Sequence, residues 1–242
     1  MFKKIVTSLL KITIMSTNLE KTLGAPQTVQ IARSPQNQHD PPPIANIKAA
    51  KDCFVLNCHG RKIPFPALYE KTKTILVFLR HFLCYTCREY VEDLAKIPEK
   101  SLKDADVRLI VIGQSSHDHI QDFCTQTGYT HEIYVDPTRS IYKSLQMKQG
   151  EIFHQAVRSA HVKSSTLNGI FKSVWSAMKS PAFDFQGDPT QQGGAFIIGP
   201  GDKLHFGHLD LNRLDHAPIN LLLQLAGVKT VDFTHKAKII DI

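Results

Sequence analysis

"TILVFLRHFLCYTCREYVEDLAKIP", Thr74 to Pro98, decides the fold. It opens on an apolar run that ends at Arg80, the pattern of a strand covered on both faces, as in a parallel sheet. It closes with Tyr90, Val91, Leu94 and Ile97 at helical spacing, before Pro98 stops the helix. Between strand and helix stand two cysteines three apart, Cys84 and Cys87. A helix start presents unpaired N–H groups and the positive end of the helix dipole, and both stabilise a thiolate. A thiol whose ordinary pKa is about 8.5 falls to roughly 3.5–7.5 in such sites. The spacing also brings two sulfurs within disulfide reach if their Cα atoms lie about 4.4–6.8 Å apart, and such a bond forms and breaks by exchange. Cys84 and Cys87 are therefore the candidate catalytic residues, with Arg80, His81 and Arg88 as nearby sources of positive potential. Two blander readings compete. The pair could be small core residues, or half of a zinc site completed from Cys53, Cys58, His59, His117 or His119. The strand–helix junction favours redox chemistry over packing, and the lack of a second tight cysteine pair counts against zinc.

The segments on either side read as alternating strands and helices. "DCFVLN" (52–57) is a short strand and "NCHGRK" (57–62) a turn centred on Gly60. "FPALYEK" (65–71) is a loop or helical turn, "VRLIVIG" (107–113) a second buried strand, and "HDHIQDFCTQTG" (117–128) a helix ended by Gly128. "HEIYVD" (131–136) is a strand, and "PTRSIYKSLQM" (137–147) a helix opened by a proline and capped by Asp136. "GGAFIIG" (193–199) and "KLHFGHL" (203–209) are strands joined in a hairpin, and "PINLLLQLAG" (218–227) is a final helix. A β-α-β-α-β order followed by a hairpin and a helix predicts an α/β fold whose sheet is covered on both sides. Residues 148–192 interrupt that order as an insertion packed over one edge, with a helix near Leu167–Met178.

Composition bounds what the chain does. The 242 residues are 42% hydrophobic and 21% charged, which suits one domain with extras. The net charge of +7 is uneven. Residues 1–51 hold seven Lys/Arg against Glu20 and Asp40, which leaves only about +2 on residues 52–242. A nucleic-acid binder needs a basic face on the folded domain, and none is evident. Residues 1–51 read as a basic, proline-containing, disordered leader. Lys11 breaks the apolar stretch of "MFKKIVTSLLKITIM", so neither a signal peptide nor a membrane span is expected there. Five cysteines are an odd count, expected of reduced thiols inside a cell; the cytoplasm is the default location, with the nucleus as the alternative. Cys53 and Cys124 read as packing residues and Cys58 as an exposed turn thiol. His205, His208 and His216 surround the hairpin and are assigned no chemistry. Nothing calls for a cofactor or a resident metal.

"VFLRHFLCYTCREYVEDLAKIP", "LIVIGQSS", "HEIYVDPTRSIYKSL", "FDFQGDPTQQGGAFIIGPG" and "NRLDHAPIN", in that order, resemble the peroxiredoxin-like 2 family of AhpC/TSA antioxidant proteins. The resemblance covers roughly Asp52 to the C-terminus. It implies a thioredoxin-like fold, a central mixed β-sheet flanked by helices, with a redox C-x-x-C at a helix start. It implies thiol-dependent antioxidant activity, with a peroxide or protein disulfide as substrate and a thiol as reductant. By thioredoxin logic Cys84, the more exposed thiol, attacks and Cys87 resolves. The peroxiredoxin motif P-x-x-x-T-x-x-C instead makes Cys87 the peroxide-reactive thiol, and puts Arg80 at its Pro and Cys84 at its Thr. Peroxiredoxins also bring an Arg to the thiolate from the later strand, and thioredoxins a cis-Pro. Here that place reads Gln191-Gln192-Gly193-Gly194-Ala195, so Arg80 is the nearest substitute for the Arg. Two functions follow: a thiol oxidoreductase, or a redox-linked regulatory protein on the same scaffold with little turnover.

Overall fold

The computed structural model describes residues 46–152, 158–163 and 187–233. A seven-stranded mixed sheet runs through them. Its strands are β1 (Phe54–Leu56), β2 (Lys62–Pro64), β3 (Lys73–Phe78), β4 (Val107–Gly113), β5 (Glu132–Val135), β6 (Gly194–Ile198) and β7 (Leu204–Leu209). Five helices accompany them: α1 (Tyr85–Leu94), α2 (Glu99–Asp104), α3 (Ile120–Thr127), α4 (Ser140–Ser144) and α5 (Ile219–Ala226). The strand order is β2-β1-β5-β4-β3-β6-β7. Strands β3, β4 and β5 are parallel, β6 is antiparallel to β3, and β7 to β6. This is the expected thioredoxin-like, mixed α/β arrangement, with β3 at its centre.

The apolar runs fill both faces because side chains alternate along a strand. Ile75, Val77 and Leu79 enter the core under α1, α3 and α5, together with Leu109, Val111, Ala195 and Ile197. Leu76 and Phe78 enter the opposite core with Ile110, Ile112, Phe196 and Ile198, against Phe65, Leu68 and α4. Tyr142 of α4 lies edge-on to Phe78, and its hydroxyl sits 2.8 Å from the Leu79 carbonyl and 2.9 Å from that of Ile112. It thus pins the ends of β3 and β4, next to the cysteine turn.

Several boundaries differ from those the sequence predicts. The folded body begins before Asp52, because Ile47–Ala50 forms a 3-10 turn that buries Ile47 and Ala50 in the second core. The rest of the expected leader, residues 1–45, lies outside the described residues, as does the helix expected at Leu167–Met178. Strand β2 is new; Lys62–Pro64 pairs with Phe54–Leu56 across the Gly60 turn. Its burial is slight, so no apolar pattern marks it. The helix expected up to Pro98 ends at Leu94, and Pro98 instead precedes α2. A proline disfavours helical backbone in the residue before it but suits a helix start. Helix α4 begins three residues after Pro137, and Asp136 caps it as expected, accepting from the Ile141 N–H at 2.7 Å.

His161 and Lys163 of the insertion settle on α1. Lys163 binds Glu89 through its N–H and Asp93 through Nζ, both at 2.7 Å, and His161 Nδ1 lies 2.9 Å from Asp93. Among the described residues no helix is long and apolar enough to cross a membrane.

Phe82, two residues before Cys84, is clamped from both sides. Its ring stacks on Phe123 of α3 at 4.2 Å, and Gly113 at the end of β4 lies beneath it. A Cβ on Gly113 would come within 2.5 Å of the Phe82 ring. Gly113→Ala therefore overpacks this joint and should cost about 1–3 kcal/mol. The check is a lower midpoint in urea unfolding with an unchanged slope; an unchanged midpoint would mean the ring is not clamped.

Candidate active site: the Cys84–Cys87 turn

Strand β3 delivers Arg80 and His81 to the C-terminal edge of the sheet, and α1 starts four residues later. Cys84 is the N-cap of α1, with extended backbone, and its carbonyl accepts the first helical bond from Arg88 at 3.0 Å. Cys87 lies in the first helical turn. All five cysteines are free thiols. Cys84 is the more exposed of the two, but only just: it is 4% exposed and Cys87 is 0% exposed. Phe82, Tyr85 and Arg80 are buried around them.

The two thiols are driven apart electrostatically. The Cys84 thiol is held well below its ordinary pKa, chiefly by a hydrogen bond from Cys87, with His81, Arg80 and Thr86 adding to it against the cost of burial. Thr86 Oγ1 lies 3.0 Å from Cys84 Sγ, and Arg80 donates to that sulfur from Nη1 at 3.6 Å. Burial pushes the Cys87 thiol well up, and its bond to Cys84 and the charge there push it further. Burial also pulls His81 below its ordinary pKa.

Arg80 is itself fixed. Its Nη2 donates to the Pro189 carbonyl and lies 3.8 Å from Glu151, while Gln114 donates to its carbonyl. Glu151 also binds Arg213 through two side-chain contacts at 2.8 and 2.5 Å. One carboxylate between two guanidiniums leaves the cluster with positive charge to offer the sulfur. Arg80, the nearest substitute for that Arg in the sequence, lies beside Cys84 rather than beside a residue of the later strand. Arg213 was not foreseen; it lies more than a hundred residues away in the chain, and only the fold brings it here.

The Gly193-Gly194 pair starts β6 under tight backbone packing. A Cβ on Gly193 would meet the Phe78 carbonyl at 2.0 Å and Asp210 Oδ2 at 3.2 Å. Neither glycine therefore leaves room for a side chain at the start of β6. The remaining thiols sit apart from the turn. Cys53 is half-buried, 3.8 Å from Ser144, and Cys58 is exposed. Cys124 is half-buried rather than fully packed. Among the described residues no three His, Cys, Asp or Glu side chains converge to hold a metal ion. His216, assigned no chemistry from sequence, is buried on the same side of the sheet, hydrogen-bonded to Asp210 and close enough to Cys84 to feel its charge.

The chain is 55% identical over 194 residues to human peroxiredoxin-like 2C, covering 80% of this chain and 86% of the relative. The chain belongs to the peroxiredoxin-like 2 family. Bovine peroxiredoxin-like 2C is 50% identical over 228 residues, covering 91% of this chain and all of the relative. The family model described as AhpC/TSA antioxidant enzyme matches residues 93–212, a stretch that begins past both cysteines. Among solved structures, a peroxidoxin from Mycobacterium tuberculosis superposes with a TM-score of 0.46 at 11% identity, over 72% of this chain and 90% of its own.

Cys87 and Arg80 are the groups expected to set the Cys84 thiol. Replacing Cys87 by Ala removes the donor that does most to stabilise the Cys84 thiolate. Arg80→Met removes the fixed cation and should raise the Cys84 titration midpoint by about one pH unit or more. The rate of Cys84 alkylation by iodoacetamide against pH, followed by peptide mass spectrometry, reads both. A midpoint that stays put in both variants would show that these groups do not set the thiol.

Proposed function

We propose that this peroxiredoxin-like 2 chain is a thiol-dependent antioxidant oxidoreductase in which Cys84 is the attacking thiolate and Cys87 the resolving thiol. The observation that carries the reading is the opposite treatment of the two sulfurs. Cys84 sits at a helix start with a guanidinium 3.6 Å away, while Cys87 is sealed in the core and keeps its proton. A thiolate is the nucleophile in peroxide and disulfide chemistry alike.

With a peroxide, the Cys84 thiolate attacks one oxygen and the O–O bond breaks. The sulfur becomes a sulfenic acid, and the other oxygen leaves as an alcohol or water after taking one proton. Cys87 then condenses with the sulfenic acid, forming the Cys84–Cys87 disulfide and releasing water. With a disulfide substrate, Cys84 forms a mixed disulfide and expels one thiolate; Cys87 attacks Cys84 Sγ and expels the other. In both cases a thiol reductant supplies two electrons to restore the dithiol. A sulfur that is 4% exposed favours a small oxidant over a folded protein disulfide. Free cysteines throughout fit a reducing compartment, and the cytoplasm is the proposed location.

The same burial supports a second reading, a redox-linked regulatory protein that forms the disulfide but turns over little. Peroxide loss with a thiol reductant, compared for wild type, Cys84→Ser, Cys87→Ser and the double variant, separates the two. The enzyme reading expects wild type to consume peroxide well above the double variant, with Cys84→Ser reduced to the double-variant rate. Consumption no faster than the double variant would overturn it. A Cys84–Cys87 disulfide found by mass spectrometry without turnover would then establish the regulatory reading.

A further inference from the structure

Gln114 follows the end of β4 and is buried. An amide side chain offers two N–H donors and a carbonyl oxygen, and this one uses all of them on backbone. Nε2 donates to the Arg80 carbonyl and, at 3.0 Å, to the Asp188 carbonyl; Oε1 accepts from the Asp188 N–H at 3.0 Å. The two segments it joins stand 34 and 74 residues away in the chain. The approach is close. A Cβ on Gly187 would come within 2.6 Å of the Gln114 side chain, and Gly187 has a φ of +114°, a backbone that favours glycine. A buried amide with every group paired fixes one arrangement of the chain around it.

The segment it holds, residues 187–192, is fastened elsewhere too. Arg139 donates to Asp188 Oδ2, and Asp188 Oδ1 accepts from Thr190 through the N–H at 2.8 Å and the hydroxyl at 2.6 Å. The Thr190 carbonyl accepts from the Gly150 N–H at 2.8 Å, and the Lys148 carbonyl from the Gln192 N–H at 2.9 Å. Those bonds tie the segment to the residues just before Glu151. Pro189, next to Asp188, presents its carbonyl to Arg80 Nη2, and Arg80 Nη1 donates to Cys84 Sγ at 3.6 Å. Arg80 is therefore gripped at both ends. Gln114 holds its carbonyl directly, and the neighbour of the residue paired with Gln114 holds its tip. An arginine side chain left free has many rotamers open to it.

We propose that Gln114 is a positioning residue of the thiol site: its amide joins the Arg80 backbone to the 187–192 segment, and so keeps the Arg80 guanidinium against the Cys84 sulfur. Its bonds go to backbone, and its effect reaches Cys84 through Arg80. With the amide gone, Asp188 and Pro189 lose their tie to the end of β4. Nη2 then loses a fixed acceptor, and Nη1 no longer stays at one distance from the sulfur. A charge–sulfur contact that is made only part of the time stabilises the thiolate less. The inference deepens the reading of Cys84 as the attacking thiolate and rests on it.

The test is the pH profile of Cys84 alkylation by iodoacetamide in the full chain, for wild type, Gln114→Met, Arg80→Met and the double variant, with folding checked by circular dichroism. Methionine keeps the length of the side chain without its amide donors and acceptor. The midpoint of the profile reads the thiol, and its plateau at high pH reads access to it. Gln114→Met should raise the midpoint by about half a pH unit or more. In the Arg80→Met background the same change should add nothing, because two residues that act through one contact are not additive. Gly187→Ala presses on the same amide from the other side and should also raise the midpoint; it carries the test if Gln114→Met does not fold. An unmoved midpoint, whatever the plateau does, overturns the positioning role. So does a Gln114→Met shift that is just as large without the Arg80 guanidinium. If Arg80→Met raises the midpoint and Gln114→Met does not, the thiolate reading stands and the positioning role alone falls. A wild-type Cys84 midpoint near the ordinary thiol value of about 8.5 overturns both.

Discussion

A thiolate placed beneath a protein surface loses its hydration, and fixed donors and opposite charge must replace that water. The surroundings of Cys84 answer this constraint. Its sulfur meets a hydroxyl, a thiol and a guanidinium within one turn of chain. The guanidinium is in turn held by the Pro189 carbonyl and Glu151, and Glu151 is shared with Arg213. An arginine on a mobile stem would give a weaker and more screened field. One locked into a buried network presents its charge at a set distance.

The sheet makes that network possible. Strand β3 is central and buried on both faces, so its last residues emerge at one defined place. Tyr142 ties the ends of β3 and β4, and Phe82 wedges between Gly113 and Phe123. The cysteine turn therefore hangs from a rigid edge, and its orientation follows from packing rather than from the turn's own preference. The relation to peroxiredoxins also becomes concrete here. The family resemblance leads one to look for an Arg on the later strand, but Gly193-Gly194 there packs against the Phe78 carbonyl. The positive charge arrives instead from Arg80, 3.6 Å from the Cys84 sulfur.

Much of this was legible beforehand because it rests on local patterns. The runs at 74–80, 107–113 and 193–199 became strands because apolar residues in both alternating sets require two covered faces. The Cys84–Cys87 pair was found because strand, turn and helix are consecutive in the chain. Residues 62–64 carry too little apolar signal to announce a strand that is defined by its partner. That both thiols are buried could not be read from the sequence for a related reason: a helix start is usually open, and burial depends on segments far away in the chain.

The sequence by itself determined the α/β class, the order of the sheet's main elements and the position of two thiols at a helix start, since each follows from short-range periodicity and backbone preference. Only the tertiary structure decided which sulfur its surroundings favour as the thiolate, that Arg80 and Arg213 share one carboxylate, and that a histidine assigned no chemistry from sequence lies buried against Asp210. Burial and electrostatics are set by distances between residues far apart in the chain, and folding alone brings positions 80, 84, 151 and 213 together.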